Sequence, residues 1–194
     1  NAYIQQYDAE DDQYYGIYVY GGYNSITNLI EGCSVQITGK IGYYYGSLQI
    51  TDINSDSQIS ILSPVDKNQI VTREEKISNI DDIYAYSKIG SLVTLHNLTV
   101  YDYNDSQNNS ATTLKCHYID ENGNQKQFNV RIAKEIALYD PITKKQISSG
   151  EYFVGKTFET ITGMLAYYNG ADKTPYSNGC LLYTSPSPRD KRQS

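Results

Sequence analysis

The stretch ITGKIGYYYG at residues 37–46 returns as ITGMLAYYNG at residues 161–170. Ile, Thr, Gly, an aliphatic residue, Tyr-Tyr and a closing Gly occupy matching places. No other feature restricts the fold as much. β-Branched and aromatic residues punctuated by glycine favour strands over helices. In the first copy Val35, Ile37, Ile41 and Tyr43 share one parity, and Gln36, Thr38, Lys40 and Tyr44 the other. Side chains alternate across a strand, so the first set is expected to face a core. Gly39 interrupts that set and is expected to mark a bend or bulge. In the second copy Ile161, Leu165 and Tyr167 stand for Ile37, Ile41 and Tyr43. The repetition reads as one strand of a duplicated β unit.

The flanking sequence is strand-rich as well. AYIQ at 2–5 and GIYVYG at 16–21 precede the first copy, and SLQITDI at 47–53 follows it as the return strand of a hairpin. ISILS at 59–63 is expected to close this unit. Residues 68–83, NQIVTREEKISNIDDI, are charged, with Ile77, Ile80 and Ile83 three apart, and predict a linker with a helix or helical turn. A second run of strands begins at 90–104 and continues through 110–123 and 126–135 to the second copy. Asn122-Gly123 is a short hairpin signal, because both central residues tolerate positive φ. Leu114, Cys116 and Tyr118 are expected inside, as are Phe128, Val130 and Ile132.

The ends carry their own signals. CLLYTSPSPRD at 180–190 reads codon for codon as a translated transposase sequencing adapter, and KRQ at 191–193 as the same element read the other way. Residues 180–194 are therefore expected to be non-native and unpacked, with Leu181-Leu182 filling a strand slot by accident. The start at Asn1, without Met, reads as the interior of a longer protein. Expected boundaries are 1–67 for a first barrel, 68–83 for the linker, 84–179 for a second barrel and 180–194 for the tail.

Removing Arg189, Asp190, Lys191 and Arg192 from the 16 basic and 22 acidic residues leaves 13 against 21, a net charge of −8. That balance opposes strong non-specific binding to polyanions, though it allows a local basic face. No run of about 18 apolar residues occurs, so no membrane-spanning helix is expected. Cys33 and Cys116 stand far apart without a CxxC partner. Two buried thiols, or a disulfide between them, are the readings; zinc spacing is lacking.

Three strands, an irregular or helical segment and two more strands make the order of a five-stranded OB barrel. AYIQ…GIYVY…EGCSVQITGKIGYYYGSLQI resembles the OB-fold modules of bacterial secreted nucleases and related cell-surface proteins. There an IQD-like strand precedes GI-aromatic-V and then GDxVxVxG…Y.G..QI. Gly32-Cys33-Ser34 replaces the usual Gly-Asp, and Gln6 the usual Asp. The resemblance implies an all-β chain of two tandem OB-like barrels, both truncated: the first lacks its opening strand and the second its last. It implies a non-catalytic, nucleic-acid-binding accessory module of a larger secreted or surface bacterial protein, a nuclease among the candidates. The alternative is an adhesive spacer or a glycan-binding module. Any catalytic domain would lie outside this fragment.

The residues themselves offer no catalytic set. His96 and His117 fall on expected strands, and no HxH, HExxH or nucleophile elbow occurs. DAEDD at 8–12 and DINSDS at 52–57 read as solvated loops; the latter lacks the Gly and Glu of an EF-hand. OB barrels take ligands on the outer face of their second and third strands. Parity places Tyr3, Gln5, Tyr18 and Tyr20 there in the first unit, and Lys115, His117, Gln127, Asn129 and Arg131 in the second. Aromatic platforms suit base stacking or sugar rings, and the second set is a basic, amide-rich patch in an acidic chain. Single-stranded nucleic acid or an oligosaccharide is the expected partner, with no cofactor, no metal and a monomeric module.

Overall fold

A computed structural model of the chain describes residues 1–22, 29–45, 47–74, 89–106, 111–133, 136–167 and 180–184. The described secondary structure is strand, with three short 3₁₀ turns, so the fold class is all-β. The strands are β1 (Ala2–Asp8), β2 (Gln13–Val19), β3 (Val35–Ile37), β4 (Lys40–Tyr44), β5 (Ser47–Thr51), β6 (Ile59–Ile61) and β7 (Arg73–Glu74). Then come β8 (Leu92–Asp105), β9 (Thr112–Ile119), β10 (Gln125–Ile132), β11 (Leu138–Tyr139), β12 (Gln146–Ile147), β13 (Thr157–Tyr167) and β14 (Cys180–Thr184). The chain forms two compact units. Unit 1 comprises Asn1–Arg73, Tyr86–Leu92 and Tyr167–Gly179; unit 2 comprises Glu74–Ala85, Val93–Ala166 and Cys180–Ser194. The helix expected within 68–83 is in part a 3₁₀ turn at Lys67–Gln69 and strand β7; residues 75–83 lie outside the described residues.

In unit 1 the strand order is β1-β2-β5-β4. β1 and β2 are antiparallel, β2 and β5 parallel, β5 and β4 antiparallel. The acidic loop between β1 and β2 is a turn held by its own tyrosines: Tyr7 donates to Asp12 at 2.6 Å and Tyr15 to Asp11 at 2.5 Å. Val19, Ile53 and Ile59 form the core, with Ile4, Leu29, Ile37 and Ile50 packed against them. Gly39 separates β3 from β4, as its place in the pattern predicts. A Cβ there would meet the Ile50 Cγ2 at 2.5 Å and the Thr51 carbonyl oxygen at 2.7 Å, so only glycine fits this bend. The two halves then take different partners: β3 pairs with β6, and β4 with β5.

The expected core set survives only in part. Ile37 packs on the core, whereas Ile41 is 63% exposed and Tyr43 54% exposed. Their parity is as expected, since Ile41 opposes the core-packed Ile50 and Tyr43 opposes Leu48. Among the described residues β4 is the last strand of this sheet, which leaves both exposed.

Unit 2 contains a closed ring. The sheet runs β13-β14-β10-β9-β8, and β13 also pairs with β8; β7 extends the sheet beyond β8. Hydroxyl contacts of 2.8 Å link Thr94 to Thr162 and Thr99 to Thr157 across the closing pair. β10 and β14 are parallel. Leu114, Cys116, Tyr118, Phe128, Val130 and Ile132 are buried, as their parity predicts. β8 buries Val93 and Leu95, then Leu98 and Val100. The parity switch comes at Asn97, which takes φ 57°. The β9–β10 connection is a five-residue loop, since Ile119 pairs with Gln125. Of Asn122 and Gly123 only Gly123 takes positive φ, at 80°, which replaces the expected two-residue turn. Asp120 explains it: its carboxylate accepts from the Asn122 and Asn124 backbone N–H groups at 2.9 and 2.7 Å.

Cys180–Thr184, expected to be unpacked apart from the Leu181-Leu182 stub, fills the ring position beside β10, with Leu181 and Leu182 opposite Asn129 and Val130. A ladder is built from main-chain groups, so an extended run can fill such a slot whatever its origin. Residues 185–194 lie outside the described residues.

Asp105 fastens one end of the ring. Its carboxylate accepts from Thr112 Oγ1 at 2.6 Å, Ser149 Oγ at 2.7 Å and the Gly150 N–H at 3.1 Å. Burial pushes this carboxyl up, but the three hydrogen bonds outweigh burial and hold it below its ordinary value. A depressed carboxyl pKa stabilises the fold above the unfolded-state value, and that contribution disappears as pH falls through the folded value. Unit 2 is thus expected to lose stability from about pH 4 downward. Asp105→Asn should flatten that slope in denaturant titrations across pH 2–6.

Cys33 and Cys116 are both free thiols, not a disulfide, but only Cys116 is buried; Cys33 is half-buried. Burial pushes the Cys116 thiol up to about 12. Alkylation at pH 8 followed by peptide mapping should label half-buried Cys33 in the native protein, and Cys116 only after denaturation.

Candidate ligand-binding faces

The β1–β2 hairpin puts the expected aromatic residues together. Tyr3 opposes Tyr18 with ring centroids 4.9 Å apart, and Tyr7 opposes Tyr14 at 5.1 Å. Between these pairs Gln5 opposes Gly16. That face is not an open groove. A Cβ on Gly16 would lie 2.1 Å from the Gly90 carbonyl oxygen, so the Gly90–Ser91 backbone lies directly on it. Gly90 itself has φ 86° and touches Gly16 in return. Gln5 is fully engaged: its Oε1 accepts from the Leu92 N–H at 2.9 Å and its Nε2 donates to the Val71 carbonyl at 3.4 Å. The Tyr14 carbonyl accepts from Arg73 Nη1 at 3.3 Å. Tyr20 lies just past β2, exposed, with its N–H on the Ile50 carbonyl at 2.9 Å. Gln5 and Gly16 thus anchor the chain to itself, and Tyr3 and Tyr18 flank that anchor. The sequence hint was Gly16, which breaks a run of aromatic and β-branched residues.

In unit 2 the expected patch assembles. Register places His117 opposite Gln127, Lys115 opposite Asn129 and Thr113 opposite Arg131. These residues share one outer face, while Leu114, Cys116, Phe128 and Val130 line the inside. Gln127 and Asn129 are exposed; Lys115, His117 and Arg131 are half-buried. Arg131 Nη1 donates to Thr113 Oγ1 at 3.2 Å. His117 Nδ1 is buried with no hydrogen-bond partner among the described residues.

β8 adds two residues that parity alone did not place. The register slips between Val100 and Asp102, and the slip brings Asp102 opposite Lys115. Their charges meet at 2.6 Å. The Lys115 hydrogen bond, then the Tyr103 backbone N–H, hold the Asp102 carboxyl below its ordinary value; the same bond raises Lys115. The extra residue, Tyr101, is 39% exposed, with its ring 5.9 Å from His117. The face therefore carries one cation already matched by an acid, a second cation, two amides, an imidazole and a tyrosine ring. An aspartate inside TVYDYN was the available signal, because strands disfavour Asp unless it has a task.

Other polar clusters are structural. Asp140 accepts from the Thr143 N–H at 2.6 Å and from Tyr152 Oη at 2.7 Å, which closes the turn between β11 and β12. The groups around a shallow cleft there, Ser149 and Tyr152 among them, are engaged within unit 2. His96 is half-buried on β8 beside the switch at Asn97. Among the described residues no group of three His, Cys, Asp or Glu side chains could hold a metal ion, and no helix is long and apolar enough to cross a membrane. No family model, no curated protein and no solved structure matches the chain.

Proposed function

We propose that the chain is a non-catalytic binding module that takes single-stranded nucleic acid on the β9–β10 face of unit 2. The observation that carries the reading is the common outward register of Lys115, His117, Gln127, Asn129 and Arg131, with the Tyr101 ring at its edge. Cations follow a phosphate backbone, amides bond base edges, and rings stack on bases. The ring order β8-β9-β10-β14-β13, with its parallel β10–β14 pair, supports kinship with OB barrels, which bind oligonucleotides and oligosaccharides on this side. The OB-module resemblance supports a parent protein that is secreted or surface-anchored and bacterial, a nuclease among the candidates. Within unit 1, Gly90 covers the centre of the tyrosine face.

One observation favours a second reading. Asp102 neutralises Lys115, and a neutral, amide-rich face with a ring beside it also suits a sugar. The two ligands respond differently to charge. If nucleic acid is bound, Arg131→Gln should lower the log–log salt slope by about 0.7, and Asp102→Asn should tighten binding by freeing Lys115. Tyr101→Ala should weaken it by about 1–3 kcal/mol at every salt concentration. Fluorescence anisotropy with a labelled oligothymidylate measures all three. Absence of binding at low salt, with salt-independent binding of a neutral oligosaccharide, would give the face to a glycan.

A further inference from the structure

One buried nitrogen sets what the unit 2 face can read. His117 Nδ1 is buried and has no hydrogen-bond partner among the described residues. The ring as a whole is half-buried, with Thr99 opposite it on β8 and Gln127 opposite it on β10. Nε2 is the nitrogen left to meet a ligand. A neutral imidazole carries one donor and one acceptor. Buried N–H groups are left without a partner more rarely than buried acceptors. The proton therefore belongs on Nε2, and His117 offers the face an N–H donor of fixed direction.

Gln127 completes the set. Directly opposed side chains of an antiparallel pair lie about 5 Å apart at Cβ, and Gln127 is exposed. Its amide places one donor and one acceptor side by side. Lys115, two positions away on β9, is held by Asp102 at 2.6 Å and does not enter the set. An amide with one further donor beside it matches the Watson–Crick edge of a pyrimidine. Thymine and uracil offer O4, N3–H and O2; cytosine offers an N4 amine, N3 and O2. The amide takes the first two groups in one orientation or the other, and His117 Nε2–H takes O2, which all three bases share. Purines lack that acceptor: guanine has an amine in its place and adenine a C–H. The Tyr101 ring, 5.9 Å from His117, supplies the stacking surface. We infer that the unit 2 face selects pyrimidine nucleotides, with His117 reading O2 and Gln127 the rest of the base edge. The inference rests on the nucleic-acid reading of this face and adds base selectivity to it.

The proton position is read first, on the full chain without ligand, by long-range proton–nitrogen NMR correlation of the imidazole rings. His117 is expected to carry its proton on Nε2. Fluorescence anisotropy then compares labelled oligothymidylate, oligocytidylate and oligoadenylate. The two pyrimidine oligomers should bind about fivefold more tightly than oligoadenylate, the discrimination that one hydrogen bond supplies. His117→Phe keeps a ring and removes the donor, so this preference should vanish while oligoadenylate affinity holds. His117→Gln, which restores an N–H, should keep the preference; circular dichroism checks the fold of both variants. A proton on Nδ1 overturns the inference without any ligand. A pyrimidine preference that survives His117→Phe also overturns it and gives the selectivity to stacking, with the nucleic-acid reading intact. So does equal binding of the three oligomers by the unaltered chain. Binding of none of them at low salt removes the nucleic-acid reading itself, and base selectivity with it.

Discussion

Unit 2 depends on one strand being hydrogen-bonded on both sides. β8 meets β9 along one edge and β13 along the other, and this double pairing turns a twisted sheet into a ring. A 14-residue strand manages it by changing course twice. Asn97 flips the parity so that both halves bury apolar residues, and the slip near Tyr101 resets the register against β9. Without these irregularities one half of β8 would point its apolar residues outward. Asp105, at the strand's last residue, then fastens that end to β9 and to the 3₁₀ turn at Gly150–Phe153.

Among the described residues of unit 1 no strand is paired to both ends of the order β1-β2-β5-β4. Gly90 packs on Gly16 there, a backbone-to-backbone approach that two glycines alone permit. That approach, with Gln5 bonded to Leu92 and Val71, covers the face that parity had assigned to a ligand. The candidate function consequently rests on unit 2. There the electrostatics are balanced rather than plainly basic, because the slip that shapes β8 also delivers Asp102 to Lys115.

Much of the fold was legible in the sequence. The alternation in 112–119 and 125–132 assigned both the inner set and the outer patch, and the glycine at 39 announced a break. Three features were not legible. Covering of Gly16 depends on a segment more than seventy positions away. The Asp102–Lys115 pair depends on a register slip that the alternation does not record, although the aspartate inside the strand hints at a partner. The hairpin turn near Asn122 followed the side chain of Asp120, which outcompeted the type I′ preference of Asn-Gly by bonding two backbone N–H groups.

The repeated stretch separates what each level decides. Sequence by itself determined that Ile41, Tyr43, Leu165 and Tyr167 all point to the core side, because the pleat forces alternation every two residues whatever surrounds the strand. It also determined the break at Gly39, where the backbone leaves no room for a side chain. Only the tertiary structure decided that Leu165 is buried and Ile41 is in water. Burial belongs to the neighbour as much as to the residue, and a strand's neighbours are chosen by pairings between distant segments that no local pattern records.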